Sequence, residues 1–275
     1  MIEIPEALTL ARQVNETLQG EVVREAAAAH TPHKFAWYYG DPALYAARLA
    51  GRRVGPAQAL AGRLEIDMGD CLLHIGEGAV LRFYPPETKL PAKHQLLLSF
   101  ESGAALVGTV AMYGLFYCLG PGEGVEDNYL QAARQAVSPL SADFDEAYFA
   151  GLYKEQDGRL SAKAFMATGQ RIPGLGNGVL QDILFNAGIH PRRRLDTLGP
   201  QGLNALFASL KSTLAEMVAA GGRDTERDLF GNPGGYTTKM SRLTLSLGCP
   251  ACGSQVQKQA YLGGSVYFCP KCQKV

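Results

Sequence analysis

Four of the chain's six cysteines fall in two short knuckles, Cys249-Pro-Ala-Cys252 and Cys269-Pro-Lys-Cys272, separated by sixteen residues. Each Cys-x-x-Cys curls two thiolates onto one side of a turn, and two such knuckles complete a tetrahedral sulfur cage that suits zinc. Four protein ligands close the coordination sphere and leave no position for a substrate, so the expectation is one structural Zn2+. A pair of disulfides is the competing chemistry, and it fits poorly with a chain whose N-terminus lacks a secretory signal pattern. Gly263-Gly264 reads as the tip of a hairpin between the knuckles. Cys71 and Cys118 stand alone in apolar, strand-like contexts and read as small core residues.

A second constellation is Gln170-Arg-Ile-Pro-Gly174-Leu-Gly176-Asn177-Gly178, which runs into the apolar stretch Val179 to Phe185. Glycines at these positions let the backbone turn tightly and approach a ligand, and the N–H groups of a helix that starts there favour an anion. By itself such a turn is more often only a turn. Basic residues are segregated nearby: His190-Pro191-Arg192-Arg193-Arg194 follows the helix, and after Asp228 the chain has no acid but carries Lys239, Arg242, Lys258, Lys271 and Lys274. A solvated basic face explains many such clusters. Two of them beside these motifs point to phosphate contact.

The elements that must position these residues are bounded by composition. A chain of 275 residues has room for two medium domains and a small module. Its 47% hydrophobic and 19% charged residues are those of a globular protein, and 26 basic against 26 acidic residues argue against coating nucleic acid by bulk charge. No apolar run is long enough to span a bilayer, and a cytoplasmic location is expected. Alternating patterns from Arg63 to Leu119, punctuated by Gly69-Asp70, Pro85-Pro86 and Ser102-Gly103, predict an antiparallel β-sandwich with a leading helix near residues 5–19. From Asp127 to Ala220 the spacing becomes helical, with Gly120-Pro121-Gly122-Glu123-Gly124 as a hinge before it. The expected fold class is α+β, with segments 1–122, 123–230 and 231–275 as sandwich, helical domain and cysteine hairpin.

Further matches run through the chain in order. It opens Met1-Ile2-Glu3-Ile4-Pro5-Glu6, and it carries Asp41-Pro42, Gly51-Arg-Arg-Val54, Lys163, Gly174-x-Gly176-Asn177, Phe185, Ala187-Gly-Ile-His-Pro191, Gly221-Gly222 and Phe268-Cys-Pro-Lys-Cys-Gln273. On these residues the chain resembles the formamidopyrimidine-DNA glycosylase and endonuclease VIII (MutM-like) family over essentially its whole length. The resemblance implies a monomer whose β-sandwich and helix-two-turn-helix lobe with zinc hairpin hold damaged or abasic double-stranded DNA. It also implies a bifunctional DNA glycosylase and AP lyase of base excision repair. Lys163 and Asn177, with the Gly174 to Gly176 turn, would grip phosphates flanking the lesion, contacts that position DNA without reading sequence. Family enzymes flip the damaged nucleotide out of the stack to reach it.

The chain departs from the family where chemistry happens. The family opens Met-Pro-Glu-x-Pro-Glu, and the proline amine attacks the sugar C1′ as nucleophile. Ile2 stands in that place here, although Glu3 and Glu6 match the acidic positions. A bulky Ile2 is expected to keep Met1, which moves the amine by about 3.8 Å. Displacement of that order commonly costs about a hundredfold in rate. The same acids also suit the first turn of a helix. Arg63 aligns with a DNA-contacting lysine, Glu77 and Ala111-Met112-Tyr113 with the void-filling loops, and Gly264 with the hairpin arginine that presses on the lesion phosphate. Met112 or Tyr113 would wedge into a base stack, and the arginine contact is absent unless Lys258 or Lys274 replaces it. Two readings stay open. One is a glycosylase with altered or lost lyase chemistry, working through the α-amine of Met1 or Ile2 or through Glu3 and water. The other is a non-catalytic binder of damaged nucleic acid; a fold serving protein contacts alone fits the basic tail less well.

Overall fold

Apolar residues at helical spacing after Glu3 form α1, Ile4–Leu18, in the computed structural model, which describes residues 1–124 and 127–274. Glu3 is its N-cap and forms a capping box with Glu6, the Glu3 N–H donating to Glu6 Oε2 at 3.2 Å. Pro5 occupies the first turn, where a missing N–H costs nothing. The apolar face of α1, Ala7, Leu10, Val14 and Leu18, is buried in the core of the first unit.

That unit comprises Met1–Asp127 and Glu226–Gly234. Its strands are β1 (Val23–Ala28), β2 (Ala36–Tyr38), β3 (Ala57–Leu60), β4 (Arg63–Asp67), β5 (Leu72–Gly76), β6 (Ala79–Tyr84), β7 (Leu96–Phe100), β8 (Ala105–Val110) and β9 (Gly114–Leu119), with a short helix α2 (Tyr45–Leu49) after β2. One sheet has the order β1-β7-β8-β6 and the other β2-β9-β5-β4-β3. Alternation along β4, β5 and β9 sends Leu64, Ile66, Leu73, Ile75, Phe116 and Cys118 into one core with Leu81, Leu96, Leu98 and Leu106 of the other sheet. The sandwich is therefore as expected except at one edge, where β2 runs parallel to β9, Trp37 lying opposite Leu115. Cys71 and Cys118 are both buried in this core.

The segment Glu226–Gly234 returns to this unit from far along the chain. Leu229 is fully buried; its N–H donates to Gln13 Oε1 at 2.9 Å and its carbonyl accepts from Phe83 N at 2.9 Å. Arg82 Nη1 donates to Asp228 O at 2.7 Å beside it.

The second unit comprises Asn128–Thr225 and Gly235–Val275. It holds α3 (Asn128–Gln135), α4 (Glu146–Leu152), α5 (Ala162–Ala167), α6 (Asn177–Asn186), α7 (Gly199–Ala219) and the hairpin β10 (Gln257–Tyr261) and β11 (Gly264–Phe268). Leu180, Ile183 and Leu184 of α6 are buried, as are Leu206, Leu210, Leu214 and Met217 of α7, and Ser209 Oγ ties the pair by donating to Ile183 O at 2.7 Å. The hairpin tip is Leu262-Gly263, both with positive φ (48° and 72°), and Gly264 already belongs to β11; the expected tip was one residue too late. A two-residue loop with both φ positive matches the twist of an antiparallel pair. Among the described residues no helix is long and apolar enough to cross a membrane.

Candidate functional site

In the first unit the opening residues are built into the fold. The Ile2 side chain is 7% exposed and belongs to the core, and its N–H donates to Glu77 O at 2.8 Å. The Met1 ammonium donates to Glu226 Oε2 at 2.6 Å, and the Tyr113 hydroxyl reaches Met1 Sδ at 3.8 Å. Glu3 and Glu6, both buried, spend hydrogen bonds on the start of α1. Glu77 stands at φ 62° in a turn whose next residue, Gly78, has no room for a side chain, since a Cβ there would lie 2.4 Å from Tyr113 O.

Arg63 is joined to the same turn. Its guanidinium is 4% exposed and pairs with Asp127 Oδ2 at 2.7 Å and Glu77 Oε1 at 3.4 Å. Gly76, opposite it across β4 and β5, makes the space: a Cβ there would come within 2.6 Å of Arg63 Cγ. Glu226 thus pairs with the Met1 ammonium, and Glu77 and Asp127 pair with Arg63. Burial pushes the Tyr113 hydroxyl above its ordinary pKa, and the Glu77 and Glu3 carboxylates push the same way. Met112, by contrast, is 71% exposed beside it. Glu226 and Asp127 were missed by sequence reasoning, because each acts at long range and neither lies in a motif.

In the second unit Lys163, Asn177 and Gly264 converge. Lys163 lies on α5, capped by Ser161, and its Nζ donates to Tyr261 O at 2.6 Å. Asn177 opens α6 after Gly176, and its Nδ2 donates to Ser265 O at 2.8 Å; Gln181, one turn on, donates to the same carbonyl at 3.1 Å and accepts from Tyr267 N. A Cβ on Gly264 would lie 3.5 Å from both Lys163 Nζ and Asn177 Nδ2. Gly174 turns the chain toward this point with φ 80°. The Tyr261 ring lies 4.4 Å from the Arg192 guanidinium and 5.9 Å from the Lys163 ammonium, so one residue of the basic cluster reaches the same place. Burial pushes the Lys163 ammonium below its ordinary pKa. Lys258 is exposed on β10. Gln181, Tyr261 and Arg192 are additions; only Arg192 had a signal, its place in the basic run.

The cysteines meet as the spacing requires. The Sγ atoms of Cys249, Cys252, Cys269 and Cys272 all lie within 4.8 Å of one another, with Cys249 to Cys272 at 3.8 Å and Cys252 to Cys269 at 3.5 Å. A tetrahedral sulfur cage around zinc has S···S edges of about 3.8 Å, so the four residues fit a metal ion. Met240 and Val256 pack beside them in a small core of their own.

Comparison with known proteins places these features in context. No family model matches. The chain is 30% identical over its full length, and over the full length of each relative, to the formamidopyrimidine-DNA glycosylases of Halorhodospira halophila and Laribacter hongkongensis. Among solved structures, the MutM (Fpg) protein of Thermus thermophilus superposes with a TM-score of 0.80 at 25% identity, covering 98% of each chain. The Lactococcus lactis Fpg in complex with abasic-site DNA gives 0.80 at 19% identity, covering 99% of this chain and 100% of the other, a likeness of fold.

Proposed function

Since this chain belongs to the formamidopyrimidine-DNA glycosylase family, we propose that it is a cytoplasmic protein that binds damaged or abasic duplex DNA in base excision repair, with the family's lyase step weakened or lost. The observation that carries the reading is the fate of the N-terminus. Ile2 is a core residue whose N–H is bonded to Glu77 O, and the Met1 α-amine is held on Glu226. Attack on a sugar C1′ needs a neutral amine at the carbon. Here that amine would have to leave its carboxylate, and it lies one residue from the family's position. Glu3 and Glu6 support the same reading, because both are engaged in capping α1.

Binding is assigned to the second unit. Lys163, Asn177 and Arg192 gather at the hairpin where Gly264 leaves space, and the cation cluster suits a phosphate. The cysteine cage would hold one structural Zn2+; when bound, it supplies folding energy to the hairpin and no chemistry. Tyr261 and Ser265, the carbonyls that Lys163 and Asn177 hold, lie on that hairpin, so its order sets their positions.

The test pairs two measurements on one abasic-site duplex. Borohydride should trap no covalent adduct under conditions that trap a proline-bearing relative, while anisotropy shows saturable, salt-dependent binding. Lys163→Ala should weaken that binding and lower its salt slope by about 1. An adduct would overturn the loss of lyase chemistry, and absence of binding would overturn the DNA reading.

A further inference from the structure

Strand β2 carries an aromatic face that none of the above uses. Ala36 and Tyr38 turn inward against the core, so by alternation Phe35 and Trp37 turn outward. They are 47% and 43% exposed. The carbonyl of Phe35 accepts from Gly114 N at 2.9 Å, which brings β2 alongside the 111–113 turn. There the Trp37 ring lies 5.9 Å from the Tyr113 ring at an interplanar angle of 39°, with Met112 protruding beside it. Lys34 Nζ stands 5.3 Å from the Phe35 ring centroid, and among the described residues it ion-pairs with no carboxylate.

The Tyr113 side of this surface faces the Glu77 and Glu3 carboxylates, whereas the stretches on the Phe35 side are basic. Residues 26–40 contain no acid, and neither do residues 88–100, which carry Lys89 and Lys93. The two stretches are joined: Thr31 N donates to His94 O at 3.0 Å, and the His30 and His94 rings stack at 4.5 Å. Exposed aromatic rings next to unpaired cations, with no acid in either stretch, match the needs of a single nucleic-acid strand: π-faces for bases and ammonium groups for phosphates.

We propose that the outward face of Trp37, flanked by Tyr113 and Phe35, is a stacking surface for one unpaired nucleobase, with Lys34 taking an adjoining phosphate. The inference rests on the DNA reading above and deepens it. An unpaired base is the occupant because a base inside the duplex exposes only its edge, whereas Trp37 offers a flat face.

Trp37 is the chain's only tryptophan, so its emission reports on this surface alone. The probes are a dye-labelled duplex with a single-base bulge and its fully paired counterpart, followed by anisotropy and tryptophan fluorescence in the same titration. Emission should be quenched in step with anisotropy for the bulged duplex and much less for the paired one. Trp37→Ala should raise Kd for the bulged duplex about 5- to 150-fold. Trp37→Phe should recover most of the loss, with melting temperatures unchanged because the residue is exposed. Saturating anisotropy with unchanged emission, equal quenching by both duplexes, or a Trp37→Ala variant that binds normally would each overturn the stacking surface and leave the DNA reading standing. Absence of any anisotropy change would overturn both.

Discussion

Replacing Ile2 by proline tests whether Ile2 is a working part of the core. Ile2 makes two contributions: a side chain that is 93% buried, being 7% exposed, and an N–H that donates to Glu77 O at 2.8 Å. Ile2→Val keeps the N–H and removes one methylene, a change that typically costs about 0.5–1.5 kcal/mol. Ile2→Pro carries as many side-chain carbons as valine but has no N–H, so Glu77 O loses its donor at an additional cost of about 1–3 kcal/mol. At about 2–4 °C per kcal/mol for a chain of this size, the proline variant should melt about 2–12 °C below the valine variant. Calorimetry measures this directly. A small second residue also invites removal of Met1, so intact mass is recorded, and both variants are repeated in a Glu226→Gln background where the Met1–Glu226 ion pair is already gone. Equal melting of the two variants in that background would show that the Ile2 N–H is not structural, and the reasoning would fail.

Two further outcomes follow from the structure. Glu123 receives both Nη atoms of Arg48 at 2.6 and 2.7 Å and the Gly120 N–H at 2.8 Å, and Arg48 foremost lowers its carboxyl from 4.5 to about 2. A depressed carboxyl contributes stability that is present above the unfolded value and lost as pH falls through the folded one. Acid titration should therefore erode stability between about 4.5 and 2, and Glu123→Gln should flatten that part of the curve; an unchanged curve refutes the assignment. The cysteine cage should bind one zinc per chain by elemental analysis, with loss of the metal in Cys269→Ser and retention in Cys71→Ser and Cys118→Ser. Chelation should unravel the hairpin, read by the amide protection of Gln257 to Phe268.

Sequence reasoning reached the features whose causes are local. The cysteine cage follows from spacing within each knuckle, α1 from apolar periodicity with Glu3 and Pro5 at its start, and the turn before α6 from its glycines. What it missed has distant causes. β1 reads Val-Arg-Glu-Ala-Ala-Ala, good helix formers by propensity, yet it is a strand because it pairs with β7 from Val23 to Ala28. The parallel edge pair of β2 and β9 joins residues about eighty apart. Glu226 and Leu229 lie some two hundred residues from Met1 and Gln13, which they hold. No local pattern announces such partners. Gly76 is a partial exception: an unexplained glycine in a strand signals close approach, although the Arg63 side chain that occupies the space is visible only in three dimensions.

These long-range contacts bear on how the opening residues should be understood. Ile2 N is bonded to Glu77 O, Glu77 Oε1 to Arg63, and Arg63 to Asp127. From the same turn, Gly78 packs against Tyr113 O, Tyr113 reaches Met1 Sδ, and the Met1 ammonium closes on Glu226. Glu77, a non-glycine residue at φ 62°, holds a conformation that costs about 1–3 kcal/mol and persists only where neighbours over-determine it. Its neighbours here are Ile2, Arg63 and the Ala111-Met112-Tyr113 turn. A residue that had merely decayed from catalysis would leave the surrounding geometry intact and itself loosely packed. Ile2 is instead buried and bonded to Glu77, the packing that the proposed weakening of the lyase step requires.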